Sequence, residues 1–241
     1  MSYITISLSD TFEVFLFQLA ALYVYSKMYN ATMVINNQSE FVKNSLLFQD
    51  IALDDCHIIT DREKNRKVVK YGSNIMLEGL FKSFKLYDDF TLEFMRNFVY
   101  SNEDQMYSAY NIYNDIKNGS DDNDMVSVYY EQDENLSYYK KAIILANKKN
   151  VIIFSKDASK LLPIFEDEPY YNVQVIWEDN VYIRFILLSL FKHNIIQFDN
   201  TSFSLWASYI SKYDTCKTVV IPERSMCIAN NSINNLNIVY L

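Results

Sequence analysis

Three glycines and three prolines are all that 241 residues contain. The usual punctuation of loops is missing, and turns must be read from Asn, Asp and Ser instead. Cysteine is as sparse: Cys56, Cys216 and Cys227, with no CxxC pair. An odd, scattered set points to reduced thiols in a cytosol-like compartment rather than a disulfide framework. None of the three has a base nearby in sequence, which counts against a catalytic thiol. With only His57 and His193 beside them, a zinc site is not expected. Basic residues are outnumbered, 22 against 30 acidic, for a net charge of -8. That balance argues against non-specific nucleic-acid binding, which needs clustered Lys and Arg, and against docking on an anionic membrane. A basic leader with a small-residue cleavage site is also missing, so no signal peptide is expected. The longest apolar stretch, residues 14–25, is too short to span a bilayer. The expectation is a cytoplasmic protein without a metal cofactor.

What is present is hydrophobic bulk. Half of the residues are apolar, enough for a sizeable core. Tyr, Asn, Ile, Phe and Lys are heavily used, as in the AT-rich coding of a giant DNA virus or a protist, and most of the tyrosines read as filler of core and surface.

The chain opens as strand, helix, strand. "YITISLS" is β-branched and ends in the capping cluster Ser9, Asp10 and Thr11. "FEVFLFQLAALYVYSKMY" has no breaker and is apolar nearly all round, as in a buried helix. "ATMVIN" completes a parallel βαβ unit. "CHIIT" reads as a short strand, "NIMLEGLFKS" contains one ending at Gly79, and residues 87–117 read as one or two helices. The run "NGSDDNDM", residues 118–125, is the best boundary. It lacks the alternating ligands and bidentate Glu of a calcium loop. The expected lobes are residues 1–118 and 119–241. In the second, five short strands alternate with four helices, the pattern of a doubly wound sheet. The Asn-rich tail ends in a further strand or a loosely held end. In such sheets ligands bind at the carboxyl ends of strands.

"FKHNIIQFDNTSFSLWASYISK", residues 191–212, resembles the C-terminal signature of GDP-fucose-dependent alpha-1,2-fucosyltransferases. His193, Asn194, Ile195, Ile196, Phe203, Ser204, Trp206 and Ala207 keep that pattern, and Leu205 replaces its first Trp. "LFQLAALYVYSKMYNATMVI", "MLEGLFKSFKLYDDF", "VSVYYEQDENLSYYKKAI" and "NVIIFSKD" resemble other family segments in the same order, from about Ile4 to Pro222. The resemblance implies an α/β fold of two Rossmann-like lobes in a compact GT-B-like arrangement. It implies an N-terminal acceptor-side lobe and a C-terminal lobe for the GDP-sugar. It also implies inverting transfer of a sugar to a glycan hydroxyl, without an obligate metal. Ser202 and Ser204, Asp157 and His193 become the candidate donor contacts.

The departures fall on the chemistry. Where the family has a glycine-rich first loop, this chain has Asp10, Thr11 and Glu13, with Val14 and Phe15 after them; Phe17 and Gln18 remain. Where the family's donor strand leads to an arginine for the pyrophosphate, this chain has Glu131, followed by Asp133 and Glu134. A unit-charge contact at 4 Å is worth about 4 kcal/mol at an effective dielectric near 20, and reversing its sign doubles the difference. Ordinary GDP-fucose chemistry is therefore expected to be weakened or lost unless another cation compensates, with Arg184 and Lys192 as candidates. Glu131 or Asp133 would be the general base of an active enzyme; a solvated acidic loop is their plainer role. Ser202 and Ser204 equally suit N-capping of a helix, Trp206 a core position, His193 a structural histidine, and Asp157 a cap. The alternative to a transferase is a pseudoenzyme that binds a glycan or a protein.

Overall fold

A computed structural model describes residues 2–35, 57–60, 74–82, 87–131, 135–166, 169–198, 201–211, 217–223 and 236–241. The chain divides into two compact α/β units, Met1–Met95 and Arg96–Leu241. The boundary expected at 118/119 lies inside the second. There Asn118 ends a helix in the left-handed conformation, with its N–H on Asn114 O.

In the first unit, β1 (Tyr3–Ile6), β2 (Thr32–Ile35), β3 (His57–Thr60) and β4 (Ile75–Glu78) form a parallel sheet in the order β2-β1-β4-β3. Helix α1 (Phe12–Tyr29) buries eleven side chains, Phe15 and Phe17 completely. Each fully buried Phe contributes about 1.5–3 kcal/mol, which outweighs the poor helix propensity of so many aromatics. Thr11 is the N-cap, but its side chain makes no capping bond. Instead, Ser9 Oγ accepts from Thr11 N at 3.0 Å. Asn30 closes the helix in the left-handed conformation, which Asn tolerates better than most residues.

The second unit begins within α2 (Asp89–Tyr100) and includes α3 (Glu103–Lys117). Its strands are β5 (Met125–Tyr129), β6 (Asn150–Phe154), β7 (Asn172–Ile176), β8 (His193–Ile195), β9 (Lys217–Ile221) and β10 (Leu236–Tyr240). All pair in parallel in the order β10-β9-β8-β5-β6-β7. Numbered from the first strand of the unit, that is 3-2-1-4-5-6, the order of the Rossmann dinucleotide-binding fold. The sixth strand comes from the Asn-rich tail. Helices α4 (Leu136–Ala146), α5 (Val181–Ser189) and α6 (Thr201–Tyr209) connect the strands. The short helix expected around Pro163 is a single 3-10 turn, Leu162–Phe165, with the proline in its first positions.

The β5 residues Val126 and Val128 pack with Tyr138, Tyr139, Ala142 and Ile143 of α4. The alternate residue Tyr129 packs on Phe203 of α6 at 5.2 Å between centroids. Trp206 is fully buried. The C-terminal carbonyls following α6 are held from α2: Arg96 donates to Ile210 O at 3.1 Å and Ser211 O at 2.9 Å. A guanidinium there suits both the orphan carbonyls and the helix dipole.

Candidate functional site

Because all six strands of the second unit run the same way, its βα loops share one edge. The strand order reverses between β5 and β8, which marks the crevice where such sheets take ligands. Glu131 follows β5 and Tyr130, Asp157 follows β6, Trp177 follows β7, and Ser202 starts α6 just beyond β8. Glu131, Asp157 and Ser202 therefore belong to this carboxyl edge. His193 is the first residue of β8, at the opposite, amino edge, buried, with Thr218 as its register partner. Lys192 precedes it and donates to Asn123 Oδ1, before β5. Asp133 lies outside the described residues.

The β8–α6 loop is held from several sides. Ser204, 2% exposed, accepts from Gln197 N through its Oγ at 3.3 Å. Tyr138 Oη donates to Ile196 O at 2.8 Å and Tyr139 Oη accepts from Phe198 N at 3.1 Å. Ser204 thus fixes the loop rather than facing solvent, whereas Ser202 is half-buried at the helix start. Gln197, 3% exposed, keeps its Oε1 without a hydrogen-bond partner among the described residues.

Asp157 accepts from Ser159 N at 2.9 Å, and its own N–H goes to Ser155 Oγ. Hydrogen bonding by Ser159 holds its carboxyl below the usual range. That matches the capping role expected of it, in a turn rather than an α-helix.

The densest polar cluster at this edge centres on Arg184, in the first turn of α5. Asn180 caps that helix through bonds from Tyr182 N and Ile183 N, so the fourth residue of α5 is set against the end of the sheet. Arg184 is 9% exposed. Its guanidinium sits 4.1 Å from the Trp177 ring centroid and 5.6 Å from that of Phe203, and donates to Glu178 O. Lys156 Nζ lies 5.0 Å from the same indole and pairs with Asp179 at 3.8 Å. Tyr129 Oη donates to Glu131 Oε1 at 2.8 Å. Burial raises the Tyr129 phenol well above its ordinary value, and Arg184 opposes that rise both as a charge and as a hydrogen-bond partner. Tyr129 and Arg184 meet on one ring: the Phe203 centroid lies 5.2 Å from that of Tyr129 and 5.6 Å from the guanidinium. Arg184 forms no direct ion pair among the described residues, and its Nε is buried without a partner. Of the two cations named as candidates to offset Glu131, Arg184 lies at this carboxyl edge, in α5, and Lys192 at the amino edge, beside His193. Trp177 and Lys156 were not singled out from sequence, although the carboxyl-edge rule that marked Ser202 applies equally to them.

The first unit keeps its polar groups to itself. Gln18, 6% exposed, donates through Nε2 to Gly79 O at 2.9 Å and accepts from Ser9 N at 2.7 Å. It ties the loop after β1 to the loop after β4. Tyr87 Oη reaches Phe17 O at 3.0 Å and Phe81 O at 3.2 Å. Phe15, where the resemblance expects a polar residue, is fully buried and stacks on Phe12.

Among the described residues, no three His, Cys, Asp or Glu side chains could hold a metal ion together, and no helix is long and apolar enough to cross a membrane.

The second unit is thus a parallel α/β unit of Rossmann strand order with a cation-bearing carboxyl edge. No protein-family model matches the chain, and no curated protein matches it. Among solved structures it is similar to the crystal structure of POFUT1 in complex with GDP-fucose. The TM-score is 0.41 at 10% identity, over 98% of this chain and 97% of that one. A likeness of that size carries no argument about this chain.

Proposed function

We propose that this is a glycosyltransferase-like protein that takes a nucleotide-sugar at the carboxyl edge of its second unit, as the resemblance to alpha-1,2-fucosyltransferases implies. The observation that carries the reading is Arg184: a buried guanidinium at the carboxyl edge, where sheets of 3-2-1-4-5-6 order take ligands, on the same Phe203 ring as Tyr129 at the end of β5. An arginine suits a diphosphate because its charge persists when buried. Ser202 at the start of α6 and the donors of that helix terminus would complete donor binding. An active enzyme would transfer the sugar to a glycan hydroxyl, with Glu131 or Asp133 as base. Standard GDP-fucose chemistry is weakened by the acidic loop and by the loss of the glycine-rich one.

A second reading, a non-catalytic glycan- or protein-binding module, is favoured by two observations. Glu131 is engaged by Tyr129, and Ser204 is turned into the loop. A thermal-shift titration with GDP, GDP-fucose and other sugar nucleotides separates them. A ligand at one hundred times its Kd stabilises the fold by about 2.7 kcal/mol. A shift with one nucleotide identifies the donor class. A folded protein that shifts with none sinks donor binding and leaves the binding module.

A further inference from the structure

The carboxyl edge of the second unit holds a buried cation and an exposed anion that do not touch. Arg184 is 9% exposed, while Glu131 is exposed and begins the loop after Tyr130. A buried charge without compensation is costly. Here the nearest anion stands one side chain away: Tyr129 packs on the Phe203 ring that Arg184 also faces, at 5.2 and 5.6 Å, and its hydroxyl donates to the Glu131 carboxylate at 2.8 Å. Trp177 and Phe203 flank the guanidinium, and Glu178 O takes one of its donors, so Arg184 cannot readily turn to meet a partner. The partner has to come to the Tyr129 hydroxyl.

We infer that Glu131 is a built-in stand-in for the anionic ligand of this site. Its carboxylate takes the place on the Tyr129 hydroxyl that a phosphate oxygen of a diphosphate takes when bound, so the ligand must displace it. The inference rests on the donor reading above and assigns that site its competitor. Glu131 suits the role because it is exposed and held by a neutral hydroxyl, a weak tether compared with a bidentate bond to arginine. A diphosphate brings more charge to the same position.

The test is calorimetric titration of the full chain with inorganic pyrophosphate. Glu131→Gln and Glu131→Ala, both at an exposed position, are expected to bind it at least about tenfold more tightly than the unmodified chain, and Glu131→Asp about equally to it. Arg184→Lys in the Glu131→Gln background should cancel the gain. Should that double variant fail to fold, NMR of Glu131→Gln supplies the locus. The Trp177 indole N–H signal is expected to move with pyrophosphate and that of Trp206 to stay. Unchanged affinity in Glu131→Gln, no binding to any variant, an equal gain in Glu131→Asp, or indole signals that move together or not at all would each overturn the inference. Sugar-nucleotide binding indifferent to Glu131→Gln sinks this inference and spares the donor reading. Pyrophosphate results as expected, without binding of any sugar nucleotide, do the reverse.

Discussion

The two parallel sheets use the polar side chains at their carboxyl edges in opposite ways. In the first unit, Gln18 and Tyr87 join backbone to backbone, leaving the β1 and β4 loops tied to each other. In the second, the loops are tied as well, by Tyr138, Tyr139 and Ser204. That edge also carries a guanidinium met by a carbonyl and two aromatic rings, with no carboxylate paired to it among the described residues. Hydrogen bonds that close on the backbone stabilise a fold; a buried charge without an opposite partner is costly to that fold. Buried polar side chains away from that edge serve the scaffold. Asn194, for instance, donates to Ser127 Oγ at 2.8 Å and Leu188 O at 3.2 Å.

Perturbing each unit sharpens this contrast. The largest expected effect is Trp206→Ala, a deletion from the fully buried α6 face. It should cost about 3–5 kcal/mol in urea unfolding; a cost below about 1 kcal/mol would return Trp206 to the status of a surface or ligand-facing residue. Gln18→Ala, in the first unit, removes two partly buried bonds to backbone groups and should cost about 1–3 kcal/mol, leaving pyrophosphate binding unchanged. Loss of that binding would break the assignment of ligand chemistry to the second unit alone. The smallest effect concerns Asp88, which caps α2 by accepting from Thr91 N at 2.8 Å and Thr91 Oγ1 at 2.6 Å. The Thr91 hydroxyl lowers its carboxyl below the ordinary range. A lowered acid stabilises the fold above its unfolded value, and the contribution fades as pH falls through the folded one. Asp88→Ala should therefore cost about 0.5–1 kcal/mol at neutral pH. Solvent screens this mostly exposed carboxylate, and the difference should shrink as pH falls below the ordinary carboxylate range, where unfolding midpoints of the two proteins approach each other.

The elements of the second unit could be read from sequence because β-branched runs of about five residues alternate with helical stretches, and each helix has an Asn or Ser near its start. The tail strand stayed open because its Asn-rich flank matches a loose end as well as a turn. Residues that directly follow strands, Glu131 and Asp157, could be placed by the same alternation, as could His193 at the start of one. Arg184 could be named but not located. Which way the fourth residue of a helix points depends on how α5 lies on the sheet, and that is settled by the burial of Phe185, Ile186 and Leu187, not by a local signal. The Tyr129 link was hidden for a similar reason: in a chain with 20 tyrosines, one hydroxyl with a carboxylate two residues away is not conspicuous.

Both tryptophans of the chain fall in the second unit, and they sit in unlike surroundings. Trp206 is fully enclosed, while Trp177 is half-buried with two cationic side chains against its ring. Indole emission is therefore silent about the first unit and composed of two parts in the second. A short-wavelength part from Trp206, shielded from iodide, reports melting of the core. A longer-wavelength, quenchable part from Trp177 reports events at the carboxyl edge. One emission spectrum, recorded with and without quencher, tells loss of the fold apart from occupation of the edge.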